Sequence, residues 1–242
     1  MFIMFEKYPE IFAVVSEKKD GSMKIFSDKS RDLLTMENRK KFFVKKDIRF
    51  ENVSSALLCH GNKIEKITSK NKGKIFEGVD GLLTREKEVF LSVTIADCLP
   101  VFFYEPSKNI IAIVHAGWRG LQKGIIEEMI NEIVSEGGLS ENIIAGIGPA
   151  IGVCHYEVGE DVAQEFSRYG SEIRKEKNGN IFLDLKRIAQ LQLIENGILV
   201  DNIEINKECT FCEKGRYFSF RRDSGGDVLK MEAMIAIIGL KR

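Results

Sequence analysis

Two of the three histidines in this 242-residue chain, and one of its five cysteines, stand at the ends of strand-like stretches. They are His60 in Leu57-Leu58-Cys59-His60-Gly61, Cys98 in Thr94-Ile95-Ala96-Asp97-Cys98-Leu99-Pro100, and His115 in Ile113-Val114-His115-Ala116-Gly117-Trp118-Arg119-Gly120. Zinc prefers imidazole nitrogen and thiolate sulfur, and three protein ligands leave a fourth position for water or substrate, the arrangement of a catalytic site. The same residues support a metal-free alternative, with Cys98 as a thiolate nucleophile and His115 or His60 as its base. The plain reading, strand-end histidines and a buried cysteine packing as a small hydrophobe, stands beside both.

Around this trio lie groups suited to an anion. His115-Ala116-Gly117-Trp118-Arg119-Gly120 joins a strand to a helix, so backbone amides at the helix start and the Arg119 fork could receive a phosphate. The spacing is neither Walker nor dinucleotide-binding, and a glycine turn alone is more often only a turn. In Gly146-Ile147-Gly148-Pro149-Ala150-Ile151-Gly152 the backbone can approach a ligand closely, with Gly148 the candidate, although tight packing is the default. Trp118 can stack on a base or fill the core. Cys209-Thr210-Phe211-Cys212 has hook spacing without a second CxxC pair, and Cys154-His155 reads either as ligands or as packing. Of Arg221 and Arg222, one can reach an anion and the other solvent. The basic stretch from Arg39 to Lys46 reads as a solvated face.

Positioning these residues requires interleaved strands and helices. Ile11–Ser16 reads as a strand and the charged segment Arg31–Lys46 as a surface helix. Strands follow over Ala56–His60, Lys63–Ile67 and Val89–Ala96, with Pro100 expected to limit regular sheet pairing. Val101–Tyr104 and Ile110–His115 flank a Pro-Ser-Lys-Asn turn, so a hairpin sets Cys98 and His115 on neighbouring strands. Apolar residues from Leu121 to Ser135 recur at helical spacing and stop at Gly137-Gly138. Ile143–Ile147 reads as a strand, Glu160–Arg168 and Leu185–Asn196 as helices. Ile203–Ile205 and the apolar Met231–Leu240 close the chain. Hairpins among the crossovers favour a mixed α+β class.

Composition bounds the partners. Lysine plus arginine equals aspartate plus glutamate at 36 each, so no net field favours a nucleic acid or other polyanion. The chain is long enough for one compact unit over residues 1–242 without disulfide staples, and five cysteines do not form a paired framework. The N-terminus lacks a basic start and a long apolar stretch, and no segment stays uncharged for ~18 residues, which places the protein in the cytoplasm, away from membranes. A small-molecule partner is expected; oligomeric state is not set by the sequence.

In their order, His60-Gly61, Val79-Asp80-Gly81-Leu82-Leu83-Thr84, Ala96-Asp97-Cys98-Leu99-Pro100-Val101, His115 to Gly120, Gly148 to Gly152, Tyr156-Glu157-Val158-Gly159, Leu183-Asp184-Leu185, Cys209-Thr210 and Phe218 to Arg222 resemble the YfiH family. That family comprises the laccase-like multicopper polyphenol oxidoreductase proteins, now described as purine nucleoside phosphorylases. The resemblance implies an α+β layered sandwich of mixed β-sheets flanked by helices, related to cysteine-hydrolase-like toxin domains. It implies zinc on His60, Cys98 and His115, with copper the lesser choice. It also implies phosphorolysis of adenosine, inosine, guanosine and methylthioadenosine, and deamination of adenosine. On that reading Cys98, His115 and Asp97 are catalytic, Asp97 handling protons, while Arg119, Arg39 and Gly148 receive substrate or phosphate. Asn38-Arg39 is the one N-terminal pair that aligns. Three departures stand out: Cys59 where the family has glutamine, His155 where it has cysteine, and Gly225-Gly226-Asp227 where it has a further Gly-Arg. Competing readings are a phenol oxidase, for which three histidines are few beside a trinuclear copper cluster and a separate electron-accepting site, and a hydrolase editing peptidoglycan precursors. A non-enzymatic zinc-stabilised binding protein is a further reading.

Overall fold

Alternating and continuous apolar runs build two large sheets in the computed structural model, which describes residues 3–25 and 33–241. The strands are β1 (Ile11–Val15), β2 (Val53–Leu57), β3 (Ile64–Lys66), β4 (Ile75–Glu77), β5 (Gly81–Thr84), β6 (Phe90–Ile95) and β7 (Leu99–Glu105). They continue as β8 (Ile110–Ala116), β9 (Ile144–Ile147), β10 (Glu157–Val158), β11 (Arg174–Lys177), β12 (Asn180–Leu183), β13 (Ile203–Ile205) and β14 (Met234–Leu240). The helices are α1 (Ile3–Glu6), α2 (Leu33–Lys45), α3 (Trp118–Gln122), α4 (Ile125–Ser135), α5 (Glu160–Gln164) and α6 (Leu185–Glu195). One sheet has the order β1-β14-β6-β2-β4, the second β13-β9-β7-β8-β5-β3, and a small one β10-β12-β11. Both large sheets mix parallel and antiparallel pairs, as the α+β class requires.

Side-chain alternation sorts the apolar residues into three cores. Leu91, Val93, Ile95, Ala236 and Ile238 of the first sheet meet Phe102, Tyr104, Ile111 and Ile113 of the second, forming the layer between the sheets. The opposite face of the second sheet, with Val101, Phe103, Ala112 and Val114, packs on Ile126, Met129, Ile130 and Ile133 of α4 and Ile188 and Leu193 of α6. The opposite face of the first sheet buries Ile235 and Ile237 against Phe42 and Phe43 of α2. The result is a helix–sheet–sheet–helix sandwich, and each fully buried isoleucine or phenylalanine contributes about 1.5–3 kcal/mol.

Several boundaries differ from the sequence reading for identifiable reasons. The helix expected over Leu121–Ser135 is two helices, because Gly124 takes a left-handed φ of 78° between them. Pro100 lies inside β7, opposite His115, rather than limiting the pairing. It is tolerated because the ladder to β9 starts only at Val101, while the Pro100 carbonyl accepts from the Gly148 amide. The stretch read as a helix over 160–168 is α-helical only through Gln164 and then tightens to a 3₁₀ turn. Arg31, the expected start of α2, lies outside the described residues. The α2 segment is not wholly a solvated face, since Arg39 is buried with Phe42 and Phe43. Met234–Leu240 is a fully buried strand, β14, between β1 and β6.

Candidate metal centre

Three segments converge where the chain passes from one large sheet to the other. His60 lies between β2 and β3, and Asp97-Cys98 forms the corner between β6 and β7; each crossing joins different sheets. His115 sits near the end of β8, opposite Pro100. Ligand-capable atoms of His60, Cys98 and His115 all lie within 4.8 Å of one another. The two imidazoles are almost perpendicular, with ring centroids 4.9 Å apart and an interplanar angle of 89°. Gly117 leaves the space they share: a Cβ there would stand 2.9 Å from Cys98 Sγ, 3.5 Å from His60 Cδ2 and 3.7 Å from His115 Cε1. One soft thiolate and two imidazoles around a side-chain-free wall fit a borderline-soft divalent ion such as zinc.

A residue without a role in the sequence reading organises this cluster. Asp80, wholly buried, accepts from His115 Nδ1 at 3.0 Å and from the His60 amide at 3.0 Å through Oδ1. Its Oδ2 accepts from the amides of Cys59 (3.1 Å) and Gly61 (2.8 Å) and from Cys59 Sγ (3.1 Å). The Cys59-His60-Gly61 turn thus wraps a carboxylate in backbone N–H groups, an anion-binding nest. It does so with His60 at a left-handed φ of 57°, a conformation costing about 1–2 kcal/mol in a non-glycine residue. Charge-assisted hydrogen bonds offset that cost. Burial acts to raise the Asp80 carboxyl, but His115 and the Gly61 amide overcome it and hold it well below the usual carboxylate range. With Nδ1 committed to Asp80, His115 has Nε2 left for the centre.

The cysteine is prepared for the same role. Burial would raise the Cys98 thiol, yet His115 and His60 beside it bring it down to about 6. Burial would lower His115, but Cys98 and Asp80 push it up to about 9. These shifts favour a thiolate–imidazolium couple in the metal-free protein, and a bound metal would displace the imidazolium proton to take both groups as ligands. Cys59 differs: burial and the neighbouring Asp80 carboxylate raise its thiol, so it serves as a donor to Asp80 rather than a thiolate.

Asp97 turns the corner at a left-handed φ of 85°. Its Oδ1 accepts from Thr210 Oγ1 at 2.6 Å, and its Oδ2 from Ser219 Oγ at 3.0 Å and the Arg221 amide at 2.7 Å. That carboxylate, expected to handle protons, is spent tying the corner to the 210–221 segment. The cavity beside Cys98 is small, about 190 Å³, below the roughly 300–1,000 Å³ usual for drug-sized ligands. Trp118, Tyr156 and Phe220 supply aromatic walls, and Arg119 and Arg221 supply the cations.

Arg119 rests its guanidinium 4.3 Å from the Trp118 ring centroid, and Arg221 lies 5.6 Å from that of Tyr156 while donating to the Glu157 carbonyl at 2.9 Å. Helix α3 has only five residues, so its dipole is small and the arginine side chains are the main attraction for an anion. Arg222 is occupied by the carbonyls of Thr210, Phe211 and Tyr217 and by Asp223. Burial keeps the Tyr156 phenol protonated far above its ordinary range, with the Cys98 charge adding to the effect.

Two sequence candidates are not gathered here. Arg39 lies under α2 on the outer face of the first sheet, 4% exposed, donating to Met23 O at 3.1 Å and to Ser55 Oγ at 2.5 Å. Gly148 is packed on Pro100, whose Cγ a Cβ would meet at 2.5 Å, and its amide is used by the Pro100 carbonyl. Asp80, Tyr156 and Phe220 carried no role in the sequence reading. For Asp80 a signal existed: a carboxylate inside the apolar run Val79-Asp80-Gly81-Leu82-Leu83 has no business in a core without donors to satisfy it. No helix among the described residues is long and apolar enough to cross a membrane.

Known proteins share both the sequence and the architecture. The chain is 34% identical over 194 residues to purine nucleoside phosphorylase YlmD of Bacillus subtilis, spanning 75% of this chain and 68% of that protein. It is 32% identical over 151 residues to adenosine deaminase RL5 of an unknown prokaryotic organism, spanning 60% of this chain and 58% of that protein. The crystal structure of the Bacillus licheniformis hypothetical protein YfiH superposes with a TM-score of 0.88 at 29% identity, covering 98% of this chain and 95% of that one. A family model described as multi-copper polyphenol oxidoreductase laccase matches residues 21–241. Sequence and architecture together establish that the chain belongs to this laccase-like family, the YfiH family.

Proposed function

We propose that the protein is a zinc-dependent enzyme of purine nucleosides, cleaving them with phosphate and deaminating adenosine. The observation that carries this reading is an aromatic cavity with two arginines at its wall, opening directly onto His60 and Cys98. Trp118, Tyr156 and Phe220 offer faces on which a purine can stack. Arg119 and Arg221 offer planar donor forks for phosphate. The names of the YlmD and RL5 relatives support the same substrate class.

His60, Cys98 and His115 would hold zinc, which supplies Lewis acidity toward an oxygen atom of substrate or nucleophile. In phosphorolysis, a phosphate oxygen held by Arg119 and Arg221 forms a bond to C1′ of the ribose as the C1′–N9 bond breaks. The electron pair of that bond leaves with the base, which takes up a proton. The Tyr156 phenol, protonated and within the cavity wall, is the proposed hydrogen-bond donor to the departing base. Asp97 acts as a positioning residue, holding the Arg221 backbone and the Cys98 corner in one geometry. Deamination replaces the C6 amino group by water oxygen and releases ammonia, using the same pocket without phosphate.

Incubating zinc-replete protein with inosine and phosphate, then separating products, is expected to yield hypoxanthine and ribose 1-phosphate. Adenosine without phosphate is expected to yield inosine. Absence of base, ribose 1-phosphate and inosine overturns the proposal; base release independent of phosphate overturns phosphorolysis.

A further inference from the structure

A second cluster of metal-capable side chains lies apart from the His60/Cys98/His115 set. Cys154, His155, Cys209 and Cys212 come from two segments separated by the 53 residues from Tyr156 to Glu208, and their ligand atoms all lie within 4.8 Å of one another. Cys154 Sγ and Cys212 Sγ are 3.7 Å apart. His155 Nδ1 stands 3.2 Å from Cys154 Sγ and 3.4 Å from Cys212 Sγ. A tetrahedral zinc with sulfur at about 2.3 Å and nitrogen at about 2.1 Å sets edges of roughly 3.8 Å between sulfurs and 3.6 Å between nitrogen and sulfur. The observed separations lie close to those edges, and a Cys₃His set closes all four positions.

The supporting contacts have the form of a structural metal site. Cys209 Sγ accepts from the Gly152 amide at 3.1 Å, the kind of outer hydrogen bond that orients a ligating sulfur. His155 stacks on Phe211 with centroids 4.1 Å apart and 17° between planes, which aims the ring edge at the sulfurs. Lys186, buried, with Nζ bonded to the carbonyls of Asn206 and Glu208 at 2.7 Å each, brings positive charge to the side of the cluster formed by Cys154 and Cys209. The two segments are already joined by a bridge between Ala150 and Cys209.

We infer that Cys154, His155, Cys209 and Cys212 form a structural zinc site, distinct from the centre at Cys98. Its place explains its use. Ile151 and Tyr156, on either side of Cys154-His155, line the cavity, and Thr210, beside Cys209, holds Asp97. A zinc ion here staples the two loops that shape the substrate wall, without touching the substrate.

The test is metal content per chain on protein purified under reducing conditions and passed over a weak chelator. The unaltered protein is expected to hold two zinc ions, Cys154→Ser/Cys212→Ser one, and His60→Ala/Cys98→Ser one. Cobalt substitution of His60→Ala/Cys98→Ser is expected to give the charge-transfer and visible bands of a tetrahedral three-thiolate ion, which Cys212→Ser, altered at an exposed position, then weakens. Far-ultraviolet circular dichroism checks that each variant is folded, and His155→Gln provides a milder second variant with the same expected loss. One zinc in the unaltered protein that survives Cys154→Ser/Cys212→Ser, or two that survive it, overturns the inference. So does a disulfide between Cys154 and Cys212 in freshly purified reduced protein. Because the readout is stoichiometry rather than turnover, an inactive protein with two zinc ions refutes the nucleoside proposal and leaves this one standing.

Discussion

Replacing Asp80 by asparagine keeps the shape of the side chain and removes half of its acceptor capacity. Five hydrogen bonds arrive at Asp80, two at Oδ1 and three at Oδ2. An amide NH₂ must face one of those groups. Turned toward Oδ2 it opposes the amides of Cys59 and Gly61; turned toward Oδ1 it opposes the His60 amide and asks His115 Nδ1 to accept. In the second case the proton moves to Nε2, the nitrogen needed by a metal. Either orientation strands two backbone or ring donors or misdirects the ligand. Unmade buried hydrogen bonds cost about 1–3 kcal/mol each, so two of them should lower apo-protein stability by roughly 2–6 kcal/mol. Loss of such an outer partner weakens metal binding about 10- to 100-fold, or about 1.4–2.7 kcal/mol. Competition against a chromophoric chelator measures the affinity, and chemical denaturation of the metal-free protein measures stability. Zinc affinity within twofold of the parent protein would refute the organising role assigned to Asp80.

Gly117→Ala crowds the centre while suiting the backbone, whose φ of −74° and ψ of 171° any residue adopts; the 2.9 Å approach to Cys98 Sγ must open by about half an ångström, beyond the ~0.2 Å tolerance of a zinc bond. Zinc affinity should drop at least tenfold with stability changed by less than about 1 kcal/mol; an unchanged zinc dissociation constant would contradict this. Arg119→Ala and Arg221→Ala should each raise the phosphate KM about ten- to hundredfold, as loss of a hydrogen bond to a charged partner does, with far less effect on the nucleoside KM. Arg39→Ala should behave oppositely, lowering Tm by several degrees while leaving the phosphate KM of the surviving folded enzyme unaltered; a large rise in that KM would return Arg39 to the site. Glu136, held below its ordinary pKa chiefly by a hydrogen bond from Lys66 and also by Arg85, contributes stability that is present above the ordinary glutamate value and lost as pH falls through the lowered one. Glu136→Gln should therefore cost under about 1 kcal/mol at neutral pH and converge with the parent in acid, which urea melts across that range would check.

Much of the second sheet was legible because its signals are local. The turn Glu105-Pro106-Ser107-Lys108-Asn109 between apolar runs requires a hairpin, and β7 and β8 pair from Leu99↔Ala116 to Glu105↔Ile110. Hydrophobic periodicity placed the helix around Met129 and Ile130, but not the break at Gly124, where a left-handed glycine interrupts an otherwise helical pattern. Arg39 was misread for a related reason. A basic run looks solvated, and nothing local says that one of its arginines turns inward beneath Phe43 to reach Ser55.

The sequence alone determined which chemistries the chain can host. Imidazole and thiolate are properties of residue type, and His60, Cys98 and His115 carried them before any fold was known. Strand and helix periods likewise settled the α+β class. What only the tertiary structure decided is which groups share a volume: Arg221 beside Cys98 rather than Arg222 or Arg39, Asp97 spent on Thr210 and Ser219, Asp80 holding the His115 ring and the His60 amide, and Cys154-His155 facing Cys209 and Cys212. These are contacts between segments 20 to 124 residues apart, set by how two sheets stack and where the chain crosses between them. Spacing along a chain carries no record of such distances.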